Sequence, residues 1–432
     1  MKIETLQNII AEWLTDTPIP PLTPRIKPIV KCGDLTSVLA IAGPRRAGKT
    51  YFMLQLIKEL LDSGLAKRDD ILFVDFEDFR LKEFVAEDID NLFVSFNKLT
   101  GKTPQYLFFD EVQNIRDWSR MLRSLHNRRK FKIIVSGSNS SLLSREIATE
   151  LRGRYTDEIM FPFSFMEFLS FRNVPFDEVT LHTARKGEVL AAFDDYLQYG
   201  GFPEVVSKIN QGDKRKLLQN YYDTIFHRDV IERHGIKAEH ILDRIMRSIL
   251  ENYSEQFSVS KFEKQLKSAG LHGSKRTLAN YLKFLEGAFF ILKSEKFSYS
   301  VRVRTMNPCK IYLIDTGFSF LGSPFSENRG KLLENIVAQE LFRRGNQLFF
   351  FKGRGECDFI LKSGAKPDKA IQVCWELNQK NEKRELSGLA EAMKEFDLKH
   401  GMILTYNQEK VVNHDCHEIP ILPTWKWLTV TD

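Results

Sequence analysis

One eight-residue stretch constrains this chain more than any other. Residues 43–50 read GPRRAGKT, which matches the phosphate-binding pattern G-x-x-x-x-G-K-[ST]. The apolar run at residues 38–42 has the length of a strand, and residues 50–61 carry apolar side chains at helical spacing. A strand, a glycine-rich turn and a helix amino terminus direct several backbone N–H groups at one point, which attracts phosphate oxygens. The stretch therefore predicts a nucleotide-binding site.

The side chains of this loop have distinct expected roles. Its two glycines let the backbone bend tightly and approach the phosphates. Lys49 is expected to neutralise charge on the β- and γ-phosphates, and the Thr50 hydroxyl to bind magnesium. The predicted cofactor-binding residues are Gly43, Pro44, Arg45, Arg46, Ala47, Gly48, Lys49, Thr50 and Tyr51.

A second motif supports the first. Residues 71–76 predict another strand, and residues 106–111, which read YLFFDE, predict a third strand that ends in two acids. Asp110 is expected to hold magnesium with Thr50, and Glu111 to orient and polarise the attacking water. The pair is informative because nucleotide binding needs only the first acid, whereas hydrolysis needs the second. The alternative is a strand that ends in a solvated acidic turn.

Small polar residues follow a predicted fourth strand at residues 131–136. Ser138 and Asn139 are candidates for contacting the γ-phosphate or its water. The alternative is a cap for a helix that begins near residue 142, because serine and asparagine are good helix caps.

Two arginines precede a predicted fifth strand at residues 155–160. In ring-forming ATPases an arginine in this interval reaches the γ-phosphate held by the neighbouring subunit, which makes Arg152 and Arg154 candidates for that role. The alternative for both is a salt bridge within the chain. The expected catalytic residues are thus Lys49, Glu111, Asn139 and Arg154.

The composition is that of an ordinary globular protein. Of the 432 residues, 43% are hydrophobic and 28% charged, and the formal net charge of +6 permits nucleic acid as a partner without requiring it. The five cysteines are odd in number and form no C-x-x-C pair, so we expect neither a disulfide framework nor structural zinc. Without an apolar signal core or a run of about 18 apolar residues, we expect a cytoplasmic protein that does not contact membranes.

The motifs follow one another in a recognisable order. The chain is similar to the archaeal-type AAA+ ATPases, common in bacteria and archaea, that carry a C-terminal domain of unknown function. The resemblance implies an α/β fold with a three-layer P-loop NTPase core of the additional-strand (ASCE) type, related to the origin-recognition and replication-initiator branch. Besides the two motifs above, the segments that carry it are SGSNS at 136–140, LRGRY at 151–155, PFSFMEFL at 162–169 and YGGFPE at 199–204.

The resemblance and the order of predicted elements divide the chain into four parts. They are an AAA+ ATPase core at residues 1–160, a helical lid at 161–235, a winged helix at 236–310 and a degenerate restriction-endonuclease-like α/β domain at 311–432. The winged helix is predicted from helices at 241–253, 258–266 and 278–286 and from a β-ribbon that pairs 289–294 with 296–304.

Basic residues of the predicted winged helix are candidates for contacting DNA. Lys275 and Arg276 lie at the amino-terminal end of the candidate recognition helix, and Arg302, Arg304 and Lys310 lie on or after the wing. Such positions would match phosphates that flank a groove. The alternative is a winged helix that only packs against protein.

The C-terminal part resembles the restriction-endonuclease-like fold, in which a helical Glu, a strand Asp and a Glu-x-Lys assemble a magnesium site. Glu334 and Asp358 match, but Gln372 and Cys374 stand where Glu and Lys are expected. A neutral amide is a poorer ligand for Mg²⁺ than a carboxylate, and cysteine supplies no ammonium for a scissile phosphate. We therefore expect a degenerate scaffold that binds nucleic acid or protein.

The function that these features predict is ATP binding and hydrolysis, with ATP and Mg²⁺ as cofactors. ATP is favoured over GTP because no Asn-Lys-x-Asp segment is present. The expected role is a DNA-associated switch that acts on double-stranded DNA, with self-association through an arginine finger. One alternative is a signalling or scaffold switch that acts on a protein partner. A second is an ATP-gated nuclease in which Lys352 or Lys380 supplies the missing ammonium.

Overall fold

The computed structural model describes residues 1–15, 18–26, 32, 35–139, 155–177, 183, 185–322, 328–415 and 417–430. Its contacts divide the chain into two compact units, Met1–Phe161 and Pro162–Asp432. The finer division into core, lid, winged helix and endonuclease-like domain stays a prediction.

A five-stranded parallel sheet is the centre of the first unit. Its strands are β1 (Val38–Ala42), β2 (Ile71–Asp75), β3 (Tyr106–Asp110), β4 (Lys132–Gly137) and β5 (Tyr155–Ile159). They pair in the order β2–β3–β4–β1–β5, and every pair is parallel. Strand β4 thus lies between the strand that leads into the phosphate loop and the strand that ends in the two acids. This order confirms the predicted α/β P-loop fold with its additional strand.

Helix α2 is fixed against this sheet by its apolar face. Phe52, Met53 and Ile57 of α2 are buried at helical spacing and share one apolar core with Leu39 and Ile41 of β1. The helix that starts at the phosphate loop is therefore held by the strand that precedes the loop. The described α-helices of this unit are α1 (Ile3–Thr15), α2 (Lys49–Asp62), α3 (Ile89–Thr100) and α4 (Trp118–Asn127).

The second unit contains a mixed five-stranded sheet. Its strands are β6 (Glu255–Phe257), β7 (Ile291–Lys296), β8 (Cys309–Leu313), β9 (Phe349–Lys352) and β10 (Glu356–Cys357). They pair in the order β10–β9–β7–β8–β6, with β7 and β9 parallel and the other pairs antiparallel. The predicted boundary after residue 310 therefore falls inside β8, in a sheet to which both flanking parts contribute strands.

Another five-stranded sheet of the second unit comes from the end of the chain. Its strands are β11 (Phe359–Ser363), β12 (Lys366–Val373), β13 (His400–Thr405), β14 (Lys410–His414) and β15 (His417–Pro423). They pair in the order β11–β12–β13–β15–β14, and β13 is parallel to both of its neighbours. Strand β14 was not predicted, because its residues are mostly polar and exposed.

Helices make up much of the rest of the second unit, as predicted. Among the described residues, no helix is both long and apolar enough to cross a membrane. A π-helix, Ile225–Glu232, continues directly from α8. The α-helices are α5 (Phe165–Phe171), α6 (Lys186–Tyr199), α7 (Pro203–Val206), α8 (Gln211–Thr224), α9 (Glu239–Asn252), α10 (Val259–Ser268), α11 (Lys275–Gly287), α12 (Val301–Met306), α13 (Arg329–Arg343), α14 (Glu382–Phe396) and α15 (Thr424–Trp427).

The predicted β-ribbon is wrong in its second strand. Residues 296–304 do not form that strand, since Val301–Met306 is the short helix α12 and β7 pairs with β8 instead. The Ser300 side chain caps α12 by accepting a hydrogen bond from the backbone N–H of Val303. The alternation Val-Arg-Val-Arg reads as a strand, but Val301 and Val303 are exposed and lack the buried face that a strand here would need.

Candidate nucleotide-binding site

The phosphate loop joins β1 to α2 through a backbone that requires glycine. Gly43 and Gly48 have φ angles of 155° and 97°, and Arg46 between them has a φ of 64°. A Cβ atom on Gly43 would lie 2.1 Å from the backbone oxygen of Met160, so a larger residue would displace the chain after β5. The loop is thus in close contact with the end of the neighbouring strand.

Lys49 places a buried positive charge beside this loop. The residue is 4% exposed, and its Nζ lies 3.2 Å from the carbonyl oxygen of Gly43 and 3.1 Å from that of Pro44. The same atom lies 3.3 Å from Oε1 of Glu111. An ammonium in this position, next to the first turn of α2, attracts phosphate oxygens.

The second predicted motif meets the loop at Thr50. The Thr50 hydroxyl donates a hydrogen bond to Oδ2 of Asp110 at 2.5 Å, and the Ser136 hydroxyl donates to Oδ1 of the same carboxylate. Burial, with the adjacent Glu111 carboxylate, raises the pKa of Asp110 above its ordinary value. A hydroxyl and a carboxylate side by side are the hard oxygen ligands that Mg²⁺ prefers. The residues present therefore fit a magnesium ion.

Glu111 is oriented by several contacts at the end of β3. Its backbone is left-handed, with a φ of 50°. Its Oε2 accepts hydrogen bonds from the side-chain amide of Gln113 at 2.5 Å and from the backbone N–H of Ser138 at 3.1 Å. Burial alone would raise its pKa, but the Lys49 ammonium and these hydrogen bonds bring the pKa of Glu111 down to about 2. The carboxylate is therefore ionised and fixed in direction, so it is suited to orient and polarise a water molecule through a hydrogen bond.

Another carboxylate, which belongs to neither motif, lies at the same edge of the sheet. Asp75 at the end of β2 is paired in register with Asp110 at the end of β3. Burial, with the nearby acids Asp110 and Glu111, raises the pKa of Asp75 to about 6. Glu77 forms an ion pair of 2.7 Å with Arg45 of the loop. The signal that could have identified Asp75 is an acid at the carboxyl end of a predicted strand, because the carboxyl ends of parallel strands lie at one edge of the sheet.

Arg25 lies outside every motif and contacts the phosphate loop directly. Its Nη1 donates a hydrogen bond to the carbonyl oxygen of Ala47 at 2.8 Å, and its Nη2 donates to that of Phe161 at 2.6 Å. Its backbone N–H donates to the side chain of Gln55 in α2 at 3.2 Å. No local pattern around residue 25 predicts these contacts, because they depend on packing between distant segments.

The candidate sensor residues follow β4 as expected. Ser138 and Asn139 are both buried, and the Ser138 hydroxyl accepts a long hydrogen bond of 3.4 Å from Gln113. Ser138 is therefore next to Glu111, while a contact of either residue with a γ-phosphate stays a prediction. The alternative helix near residue 142 and the candidates Arg152 and Arg154 lie outside the described residues.

The candidate DNA contacts of the second unit differ in their surroundings. Lys275 and Arg276 are exposed in the first turn of α11, and Arg302 is exposed on α12. Arg304 is engaged internally, since it donates to the backbone oxygen of Ser298 at 2.9 Å and lies 3.3 Å from Glu295. Of these four, Arg304 is thus the least suited to reach a phosphate.

Three of the four residues predicted for a degenerate nuclease site come together. Lys310 lies 3.0 Å from Glu334 on α13 and 2.8 Å from Asp358, which separates β10 from β11. Gln372 on β12 accepts a hydrogen bond from the backbone N–H of Asp358 at 3.2 Å. Cys374 lies in the apolar core, where burial raises the pKa of its thiol to about 12. Lys310, predicted to lie on or after the wing, is buried and cannot meet a phosphate without breaking these contacts.

Two family models match this chain. Residues 36–169 match one described as an AAA domain, which contains the phosphate loop and the two acids. Residues 190–321 match one described as a domain of unknown function.

The Walker-type ATPase PABY2304 of Pyrococcus abyssi is a structural neighbour of this chain. The two structures have a TM-score of 0.42 and 14% sequence identity, over 74% of this chain and 94% of that chain.

Two relatives match most of this chain. The uncharacterized protein MJ1544 of Methanocaldococcus jannaschii is 36% identical over 402 residues, which cover 90% of this chain and 88% of that protein. An uncharacterized protein of Haemophilus influenzae is 30% identical over 358 residues, which cover 82% of this chain and 86% of that protein. The chain therefore belongs to the archaeal-type AAA+ ATPase family, in which an AAA domain is followed by a domain of unknown function.

Proposed function

We propose that this protein hydrolyses ATP with Mg²⁺ and that its affinity for double-stranded DNA changes with the state of the bound nucleotide. The observation that carries the proposal is the convergence of both motifs. Lys49 Nζ lies 3.3 Å from Glu111, and the Thr50 hydroxyl lies 2.5 Å from Asp110. The glycine-rich loop thus lies beside the Lys49 ammonium, beside Thr50 and Asp110 as proposed magnesium ligands, and beside the ionised Glu111 carboxylate.

Each of these residues has a separate part in the proposed reaction. Lys49 and the backbone of residues 43–51 bind the phosphates, and Thr50 and Asp110 hold Mg²⁺ through oxygen atoms. The ion, when bound, neutralises charge on the phosphate oxygens. Glu111 orients and polarises the attacking water, for which its fixed and ionised carboxylate is suited.

Further residues are proposed to read the γ-phosphate. Asn139 or Ser138 senses it within the subunit, and the position of Ser138 beside Glu111 supports this role. Arg154 or Arg152 reaches it from a neighbouring subunit, which would make hydrolysis depend on self-association. A cytoplasmic setting is consistent with Cys32, Cys309, Cys357 and Cys374, which are free cysteines.

The proposal of DNA as partner rests on the region between α9 and β8. The elements α9, β6, α10, α11, β7 and β8 follow one another, and β8 pairs with both β6 and β7, an order that supports a winged helix. The side chains of Lys275 and Arg276 are exposed where α11 begins. Exposed basic side chains at that end of a recognition helix suit contacts with DNA phosphates.

Two other functions are carried as alternatives. The first is a nucleotide-dependent signalling or scaffold switch that acts on a protein partner, favoured by the internal engagement of Arg304. The second is an ATP-gated nuclease in an endonuclease-like domain. The replacement of the expected Glu and Lys by Gln372 and Cys374 counts against it.

Steady-state ATP turnover with and without double-stranded DNA tests the proposal. We expect turnover in the wild type, its loss in Lys49→Ala and Glu111→Gln, and an increase on addition of DNA. Turnover that DNA leaves unchanged would favour the protein-partner switch. A wild type that binds ATP but turns it over no faster than Glu111→Gln would contradict the catalytic assignment.

A charge reversal on α11 separates DNA contact from general charge effects. The double variant Lys275→Glu/Arg276→Glu should weaken DNA binding and flatten its salt dependence, because fewer counterions are released. Lys283→Glu, at an exposed position further along α11, is the matched control and should change binding less. Equal effects of both changes would argue against a recognition helix at this position.

A further inference from the structure

A buried ammonium lies at the centre of three carboxylates in the second unit. Lys310 on β8 is 3% exposed. Its Nζ lies 3.0 Å from Glu334 Oε1, 2.8 Å from Glu356 Oε1 and 2.8 Å from Asp358 Oδ1. An ammonium has three hydrogens to donate, and each of these acids supplies an acceptor. We call Lys310 and these three acids the Lys310 cluster.

The Lys310 cluster is held in place from several sides. The Tyr312 hydroxyl donates to Glu334 Oε1 at 2.7 Å, and the backbone N–H of Val373 donates to Asp358 Oδ2 at 3.0 Å. Lys352 forms a second ion pair with Glu356 at 2.5 Å. The carboxylates thus have fixed directions, and all three point one oxygen at the same atom.

Electrostatics explains why a cation is needed at this point. The three carboxylates each place an oxygen within 3.0 Å of the same nitrogen, so their negative charges are concentrated at one buried point. Buried carboxylates are costly unless a positive charge compensates them, and comparable oxygen sets in proteins bind Ca²⁺ or Mg²⁺. In the described part of the chain, no group of three or more acidic, histidine or cysteine side chains is arranged to hold a metal ion.

We propose that the Lys310 ammonium takes the place of a metal ion in the Lys310 cluster. The position at the centre of the three acids is then already filled by a cation of the chain, and Lys352 adds a second positive charge beside Glu356. The domain that contains Glu334 and Asp358 accordingly works without a divalent cation and does not cleave nucleic acid. This inference does not depend on ATP hydrolysis, because none of its residues belongs to the phosphate-loop unit.

Terbium luminescence tests the proposal, because Tb³⁺ prefers oxygen ligands and is excited by a nearby tyrosine such as Tyr312. All proteins carry Asp110→Asn, which removes the proposed magnesium ligand of the phosphate loop. We expect no tyrosine-sensitised emission that depends on Tyr312 when Lys310 is present. Lys310→Met, which keeps most of the unbranched side chain but lacks the charged nitrogen, should gain saturable emission. Adding Tyr312→Phe to Lys310→Met should remove that gain.

The opposite results would overturn the proposal. Emission in the presence of Lys310 that Tyr312→Phe abolishes would mean that a metal ion enters beside the ammonium. Mg²⁺-dependent DNA cleavage by the wild type that Asp358→Ala abolishes would have the same consequence. Both measurements use folded protein that retains Lys310, so they remain decisive even if Lys310→Met does not fold. A folded Lys310→Met without any gain would also count against it.

A separate observation concerns the phosphate loop and rests on the proposed nucleotide site. Arg25 joins Ala47 in the loop to Phe161 after β5 through two hydrogen bonds of 2.8 Å and 2.6 Å. Because the peptide unit is planar and trans, fixing the carbonyl of Ala47 also fixes the direction of the N–H of Gly48. We infer that Arg25 is a positioning residue that aligns the loop N–H groups for phosphate.

Nucleotide affinity separates this role from mere support of the fold. Arg25→Met should weaken binding of a fluorescent ATP analogue by about tenfold, since it removes two charge-assisted hydrogen bonds, and raise KM more than it lowers kcat. Arg25→Lys should restore part of the affinity, because an ammonium reaches one of the two carbonyls. The matched control is Arg68→Met, which removes a similar hydrogen bond from Arg68 to the carbonyl of Trp13 at 2.8 Å.

The wild type distinguishes failure of this inference from failure of the proposed function. If the wild type does not bind the analogue, the nucleotide site itself is wrong. If the wild type binds and both Arg25 variants bind equally well, the positioning role is wrong. If Arg68→Met weakens binding as much as Arg25→Met does, the effect comes from lost stability, which also contradicts the inference.

Discussion

The backbone N–H of Gly201 donates a hydrogen bond of 2.8 Å to Oδ2 of Asp315, a residue 114 positions away in the sequence. The other carboxylate oxygen accepts a hydrogen bond of 2.9 Å from the backbone N–H of Gly317. Asp315 follows β8, whereas Gly201 belongs to the glycine pair that separates α6 from α7. One buried carboxylate therefore joins two distant turns of the second unit.

Gly200 leaves no room for a side chain beside this carboxylate. Its φ is 74° and its ψ is −164°, a region that is open essentially to glycine alone. A Cβ atom there would lie 1.6 Å from Asp315 Oδ1. We expect Gly200→Ala to lower the free energy of unfolding by about 3 kcal/mol or more, because it combines backbone strain with a clash. Urea denaturation measures the change.

A second glycine provides the control for that measurement. Gly187 lies in α6 with no atom within 4 Å of an added Cβ, so Gly187→Ala should be neutral or stabilise by up to about 1 kcal/mol. A loss in Gly187→Ala similar to that in Gly200→Ala would show that the glycine pair and Asp315 are not the cause.

Asp315 also predicts a pH dependence of stability. Burial raises the pKa of Asp315 to about 6, against an ordinary value of 3.8. A carboxyl group whose pKa is raised in the folded state stabilises the fold fully below its unfolded pKa and loses that contribution as pH rises to the folded value. Relative to Asp315→Asn, the wild type should therefore lose about 3 kcal/mol of stability between about pH 4 and 6.

Denaturation of both proteins across this pH range measures that difference. Other acids titrate in the same window, but they are common to the two proteins and cancel in the comparison. A stability difference that stays constant from pH 4 to 6 would mean that Asp315 has an ordinary pKa despite its burial.

We expect a substitution of Gly43 to weaken nucleotide binding. In Gly43→Ala the new methyl group would lie 2.1 Å from the backbone oxygen of Met160, so the loop must shift to relieve the contact. We expect at least about a tenfold loss of affinity for an ATP analogue, since phosphate recognition depends on the direction of the loop N–H groups. Equilibrium binding measures it. Gly64→Ala is the control, because Gly64 also has a positive φ but has open space around it.

The sequence was sufficient for the parts of the site that are local in the chain. The loop at residues 43–50 and the acids Asp110 and Glu111 are recognised by spacing, and the strands before them by their apolar runs. Parallel strands that end in such residues bring them to one edge of the sheet. The resemblance to the family also implied a P-loop core with an additional strand, although the order of the five strands was not predicted.

Contacts between distant segments were not predictable in the same way. Arg25 lies 22 positions from Ala47 and 136 from Phe161, and nothing in its neighbours marks it as part of the loop. Lys310 was interpreted as a basic residue near the wing. Its burial was not predictable, because it depends on acids that follow Lys310 by 24 to 48 positions. A charge pattern does not reveal which charges a fold will bury together.

The buried hydroxyl of Ser136 contacts both motif acids, so we expect its removal to affect stability and catalysis. The Ser136 side chain donates to Asp110 and accepts a hydrogen bond of 3.0 Å from the backbone N–H of Glu111. Ser136→Ala leaves both partners buried without that hydroxyl, so we expect a loss of about 1–3 kcal/mol in stability and a lower kcat. Ser95 is the matched control, since its hydroxyl is equally buried but has no hydrogen-bond partner among the described residues. Ser95→Ala should therefore be neutral or stabilising, and equal losses in both variants would show that burial of the hydroxyl, not its hydrogen bonds, decides the effect.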